Sequence, residues 1–129
     1  IESMPRVALD SMNQTHEEEL ALISTLAQLL EDGNDLALIA TSAEVWYHHT
    51  QEHFAREEQL MQACAFPAYT VHKAEHERVL AQITSSMLRL SEGDFMPLKQ
   101  FIIHDWSAWF DLHVRTMDTA TAMFASRCA

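Results

Sequence analysis

Residues 51–76 read QEHFAREEQLMQACAFPAYTVHKAEH. The stretch holds His53 and Glu57 four apart and, beyond the Phe66-Pro67 break, His72 and His76 four apart. Residues four apart on a helix lie one above the other on the same face. Each pair therefore presents two metal-binding groups from one helical face. Two such helices, antiparallel across the Phe66-Pro67 turn, aim four ligands into one interior space. Imidazole with carboxylate suits iron, zinc or manganese.

Working outward, the same periodicity runs through the chain. A first helix is expected from Asp10 or Ser11, both good capping residues. Its inward stripe is Met12, His16, Leu20, Ile23, Ala27 and Leu30, and Gly33 closes it in the left-handed position. A second helix is expected over about 35–64, with Ile39, Ala43, Trp46, Thr50, His53, Glu57, Leu60 and Cys64 inward. A third is expected over about 68–90, carrying His72, His76, Val79 and Ile83. The fourth opens near Met96-Pro97, since proline is tolerated in a first turn. It continues to about Ser126 through Ile102, Trp106, Trp109, His113 and Met117. Four long amphipathic helices with three short connections predict an all-α fold, an antiparallel up-down-up-down four-helix bundle. One domain is expected over residues 1–129, with residues 1–10, which include Pro5, as an arm.

Composition agrees. Only two glycines and three prolines punctuate 129 residues, too few for a many-turned β fold. At 48% hydrophobic the chain can bury a real core. A formal net charge of -11 argues against nucleic acid and against an anionic membrane surface as partners. No apolar run reaches the roughly 18 residues a membrane span needs. Ile1-Glu2-Ser3 ahead of Met4 reads as an expression remnant, and no export signal opens the chain, so a cytoplasmic setting is expected. In that setting Cys64 and Cys128 are expected to be free thiols.

His16, His53, His72, His76 and His113 all fall on the inward stripes, whereas His48, His49 and His104 do not. One buried histidine can be satisfied by hydrogen bonds. Five, with Glu57, cannot easily satisfy one another without a metal. Asp118 is less legible. Five residues turn an α-helix by about 500°, so spacing alone places Asp118 off the His113 face and reads it as a surface aspartate.

Taken together, His16, the run HFAREE (His53 to Glu58), HKAEH (His72 to His76) and WFDLHVRTMD (Trp109 to Asp118) resemble the hemerythrin family, in particular bacterial hemerythrins. Met61 and Phe66-Pro67-Ala68-Tyr69 resemble the family's turn between the second and third helices. The likeness covers about residues 9–125. It implies a non-haem di-iron centre bridged by an oxo or hydroxo group. His72, His76 and His113 would bind one iron, His16 and His53 the other, and Glu57 and Asp118 would bridge them. The two-histidine iron would keep an open position for dioxygen or small anions. Ile23, Trp109, Phe110 and Glu19 would stand near that position. Two readings of Glu19 compete. It could reach the open iron, or it could be a solvated member of Glu17-Glu18-Glu19, a run the helix dipole favours in any case; the second is the simpler.

The function implied is reversible dioxygen binding for carriage, storage or supply, rather than enzymatic turnover. Oxygen-activating di-iron bundles use Glu-x-x-His motifs rich in carboxylate, and no such motif occurs here. The alternatives are an oxygen or redox sensor domain with an attached or partner signalling module, and an enzyme acting on peroxide or nitric oxide.

Overall fold

In the computed structural model, which describes residues 7–33 and 35–128, three α-helices precede a longer composite one. They are α1 (Asp10–Glu31), α2 (Leu36–Ala63) and α3 (Tyr69–Ser91). The fourth helix covers residues 96–126 and changes pitch along the way. It is α-helical at Met96–Gln100, π-helical at Phe101–Trp106, α-helical at Ser107–His113, π-helical at Val114–Asp118 and α-helical at Thr119–Ser126. The arrangement is the expected antiparallel four-helix bundle. No helix among the described residues is long and apolar enough to cross a membrane.

The ends follow local chemistry. Asp35 caps α2 by accepting from the Ala37 amide at 2.9 Å. At α1 the expected capping role of Asp10 or Ser11 is corrected: Leu9 is the cap residue and makes no side-chain bond, and Asp10 is already helical. The entry is fixed instead by Asn13, whose side chain accepts from the Val7 amide and donates to the Val7 carbonyl. Pro5 and the rest of the arm at 1–6 lie outside the described residues.

The turn after α2 contains Ala65 at φ 52. The Phe66 amide reaches the Met61 carbonyl at 2.9 Å and the Ala65 amide the Gln62 carbonyl at 3.2 Å, the paired closure that normally takes glycine between them. An L-residue in this region is disfavoured by about 1–2 kcal/mol, partly offset by glycine's greater freedom in the unfolded chain. Ala65→Gly is therefore expected to raise stability by roughly 0.5–1 kcal/mol. An unchanged or lowered denaturation midpoint would contradict this.

The bundle has two halves. Away from the Phe66-Pro67 turn, Leu26, Leu30, Ile39, Ala43, Ile83 and Leu98 are sealed from solvent. Each fully buried leucine or isoleucine there contributes about 1.5–3 kcal/mol. Trp46 and Trp106 meet edge to face at 6.2 Å in this layer. At the other end α1 and α3 begin while α2 and the fourth helix finish. His16, His53, Glu57, His72, His76, His113 and Asp118 thereby come to one level.

That end is also closed covalently. Cys64 at the end of α2 is bonded to Cys128, with Cα atoms 5.8 Å apart. The free-thiol expectation is corrected: the antiparallel topology brings the ends of α2 and the fourth helix together, within normal bridging distance.

Candidate metal centre

Seven side chains from four helices converge: His16, His53, Glu57, His72, His76, His113 and Asp118. Each is at most 3% exposed. Their donor atoms form two groups. One holds Glu57, His72, His76, His113 and Asp118; the other holds His16, His53, Glu57 and Asp118. Within each group the donors lie within 4.8 Å of one another. Glu57 and Asp118 belong to both.

The two carboxylates divide their oxygens between the groups. Glu57 Oε2 lies 2.8 Å from His53 Nε2 and 3.9 Å from His16 Nε2. Its Oε1 lies 3.2 Å from His76 Nε2 and 3.5 Å from His72 Nε2. Asp118 Oδ2 lies 3.0 Å from His16 Nε2. Its Oδ1 lies 3.0 Å from His72 Nε2 and 3.1 Å from His113 Nε2. Asp118 therefore shares the His113 side and is not the surface aspartate that α-helical spacing predicts. Val114–Asp118 is π-helical, so the hydrogen-bond step is five residues rather than four. Residues five apart then share a face, and Asp118 is fully buried.

Three imidazoles are fixed from behind. His72 Nδ1 meets the Thr121 hydroxyl at 2.8 Å, His76 Nδ1 meets Glu58 Oε2 at 3.0 Å, and His53 Nδ1 meets Glu19 Oε1 at 3.2 Å. Such outer partners set the tautomer and leave Nε2 directed at the cluster. Phe54 stacks on His76 at 3.9 Å, and Trp109 stacks on His113 at 4.7 Å while donating its indole N–H to Glu75 at 2.7 Å. Thr121, Glu58 and Phe54 were not singled out from the sequence. Glu58 and Phe54 stand inside the HFAREE run, whereas nothing local marks Thr121.

The electrostatics fit a cation site. Burial opposes charge on His53, His72, Glu57 and Asp118. Yet Glu57 and Glu19 push the His53 imidazole up to about 10, and Asp118 and Glu57 push His72 up to about 9. Burial raises Glu57 and Asp118, but the surrounding imidazoles hold both below the usual carboxylate range. Left to themselves these groups balance as buried ion pairs, and a metal ion must displace the imidazole protons to bind. His76 Nε2, Glu57 Oε1 and Asp118 Oδ1 are buried without a hydrogen-bond partner. All three are ligand-type atoms facing the cluster, so the donor set fits a pair of metal ions.

The remaining candidates divide. Phe110 and Ile23 are buried, with Phe110 edge-on to His16 at 5.7 Å and to His53 at 6.1 Å. Trp109 stands against the three-histidine group instead. Glu19 is fully buried and not solvated, which corrects the simpler reading; it contacts the outer edge of His53 and is absent from both donor groups. Leu20, placed on the inward stripe, is only partly buried. His48 and His104 are exposed, and His49 is half-buried beside Glu18.

The family model for the hemerythrin HHE cation binding domain matches residues 4–123. Bacteriohemerythrin of Ralstonia nicotianae is 32% identical over 98 residues, covering 76% of this chain and 70% of that protein. Bacteriohemerythrin of Aquifex aeolicus is 28% identical over 112 residues, 86% of this chain and 85% of that protein. Myohemerythrin of Riftia pachyptila is 29% identical over 99 residues, 77% of each chain. No solved structure matches. With a cation-binding family model spanning all seven converging side chains, and relatives covering most of its length, the chain belongs to the hemerythrin family.

Proposed function

We propose that the chain is a non-haem di-iron protein that binds dioxygen reversibly, serving its carriage, storage or supply. The observation that carries this reading is the division of oxygens: Glu57 and Asp118 each turn one oxygen to the three-histidine group and the other to the two-histidine group. His72, His76 and His113 would hold one iron, and His16 and His53 the other. Iron held there would supply the electrons needed for reversible dioxygen binding.

The protein's own contribution is placement and dryness. The two-histidine group has one donor residue fewer, so a metal held there would be left with a position for an external ligand. Phe110 faces both of its imidazoles and is itself stacked on Trp106 at 4.4 Å. This apolar wall keeps water and protons from the open position. Neutral imidazoles donate less charge than carboxylates, which favours binding over cleavage of dioxygen.

Reading the chain as a binder rather than an enzyme is part of the same proposal, as is its selectivity for dioxygen and small anions. A cytoplasmic setting sits less easily with the Cys64–Cys128 bond, because structural disulfides persist mainly in oxidising compartments. Thiol trapping in intact cells tests that point: a bonded pair argues against the cytoplasm.

The functional test is anaerobic reduction of the iron-loaded chain followed by repeated air exposure, watched by optical absorption. A visible band that appears with oxygen and disappears under vacuum is expected. Irreversible oxidation on first exposure would overturn the reading. Phe110→Ala is expected to speed azide binding to the oxidised protein while lowering stability by about 3–5 kcal/mol. Unchanged azide on-rates would place Phe110 away from the ligand's path.

A further inference from the structure

Glu19 is a third buried carboxylate at the centre, and it is not one of the converging donors. It lies on α1 three residues after His16, with its side chain 1% exposed. Both of its oxygens are 3.0 Å from the Thr50 hydroxyl, whose single proton is also within reach of the Trp46 carbonyl at 2.9 Å. Oε1 is 3.2 Å from His53 Nδ1. Oε2 is 3.6 Å from His49 Nδ1, and His49 Nε2 in turn meets Glu18 at 3.1 Å.

A buried carboxylate is costly unless paired and hydrogen-bonded. Ionised, it only accepts, so it requires N–H at Nδ1 of His53. Nε2 is then the nitrogen left for the cluster: in the metal-free chain it donates to Glu57 Oε2 at 2.8 Å, and a metal ion would take the place of that proton. His16, the other imidazole of this group, has a buried Nδ1 with no hydrogen-bond partner. His53 is thus the imidazole of the two-histidine group that is held from behind. The contrast with the three-histidine group is one of charge. There the outer partners are the neutral Thr121 hydroxyl and Glu58, whose side chain is 22% exposed and so better screened.

We propose that Glu19 is the positioning residue of the two-histidine half of the centre: it accepts the Nδ1–H of His53, turns Nε2 toward the metal, and places behind that half a carboxylate more deeply buried than Glu58. This rests on the two-metal reading above. Outer carboxylate partners of this kind are worth about 10- to 100-fold in metal affinity.

The test uses the full chain stripped of metal, in wild type, Glu19→Gln and Glu19→Leu, titrated with cobalt(II) alone. A parallel readout is the nitrogen NMR tautomer of His53 in the zinc-loaded protein. Wild type is expected to bind two ions, with His53 protonated at Nδ1. Glu19→Leu is expected to weaken one of the two steps by about 10- to 100-fold and to lose the fixed tautomer. Glu19→Gln, whose amide oxygen still accepts, keeps the tautomer and recovers part of the affinity. If Glu19→Leu folds poorly, the Gln variant still separates charge from hydrogen bonding by the same two readouts. Equal titrations and equal tautomers in all three proteins would overturn the proposal. So would loss of one ion with the His53 tautomer unchanged, which would make Glu19 a ligand. Fewer than two ions in wild type would instead overturn the two-metal reading itself.

Discussion

Asp118→Asn is expected to weaken both metal positions together, by roughly 100-fold or more, since even outer partners of ligands are worth about 10- to 100-fold. The reason is geometric. One oxygen of Asp118 faces His16, and the other faces His72 and His113. Asparagine offers one neutral oxygen and an amide that can only donate toward an imidazole. His76→Ala should behave differently, because His76 belongs to the five-donor group alone; it is expected to lose that position first. Asp118 also faces three imidazoles in a site where it is fully buried. Removing one partner of such a buried set costs about 3–5 kcal/mol. Elemental analysis and denaturant unfolding of the two variants check both effects. An Asp118→Asn protein that keeps one iron at normal affinity would show that Asp118 serves a single position.

Opening the Cys64–Cys128 bond should have the next largest effect. The bond closes a loop of 64 residues, and chain entropy assigns such a closure on the order of 4 kcal/mol. It ties the end of α2 to the end of the fourth helix. Thr121, five residues before the helix ends at Ser126, sits behind His72 and contacts Met61 of α2 at 3.7 Å. Loosening the closure should therefore reach the three-histidine group. Cys128→Ser is expected to lower the denaturation midpoint and to speed metal release to a chelator. A midpoint unchanged by reductant would contradict this.

Most of the converging cluster was legible because helical periodicity and residue chemistry agree on it. His16, His53, Glu57, His72, His76 and His113 fall on inward stripes, and antiparallel connections bring those stripes to one level. Asp118 was legible only through the resemblance. Its five-residue step fails an α-helical reading and succeeds in the π-helical turn at Val114–Asp118, which local composition does not announce. Glu19 was hidden in an acidic run that reads as solvated. Its partner Thr50, three residues before His53, was already on the α2 stripe and was the available clue. The disulfide was missed because two cysteines far apart in sequence carry no pairing signal until the bundle's closure is known.

The central claim is that one buried cluster holds two iron ions sharing Glu57 and Asp118. Anomalous scattering at the iron edge, from crystals of the iron-loaded chain, tests it most directly. The expected map has two iron peaks on the order of 3.5 Å apart, each within bonding distance of one oxygen of Glu57 and one of Asp118. His72, His76 and His113 should surround one peak, and His16 and His53 the other. A single peak, or two peaks of which only one touches the carboxylates, would contradict the account.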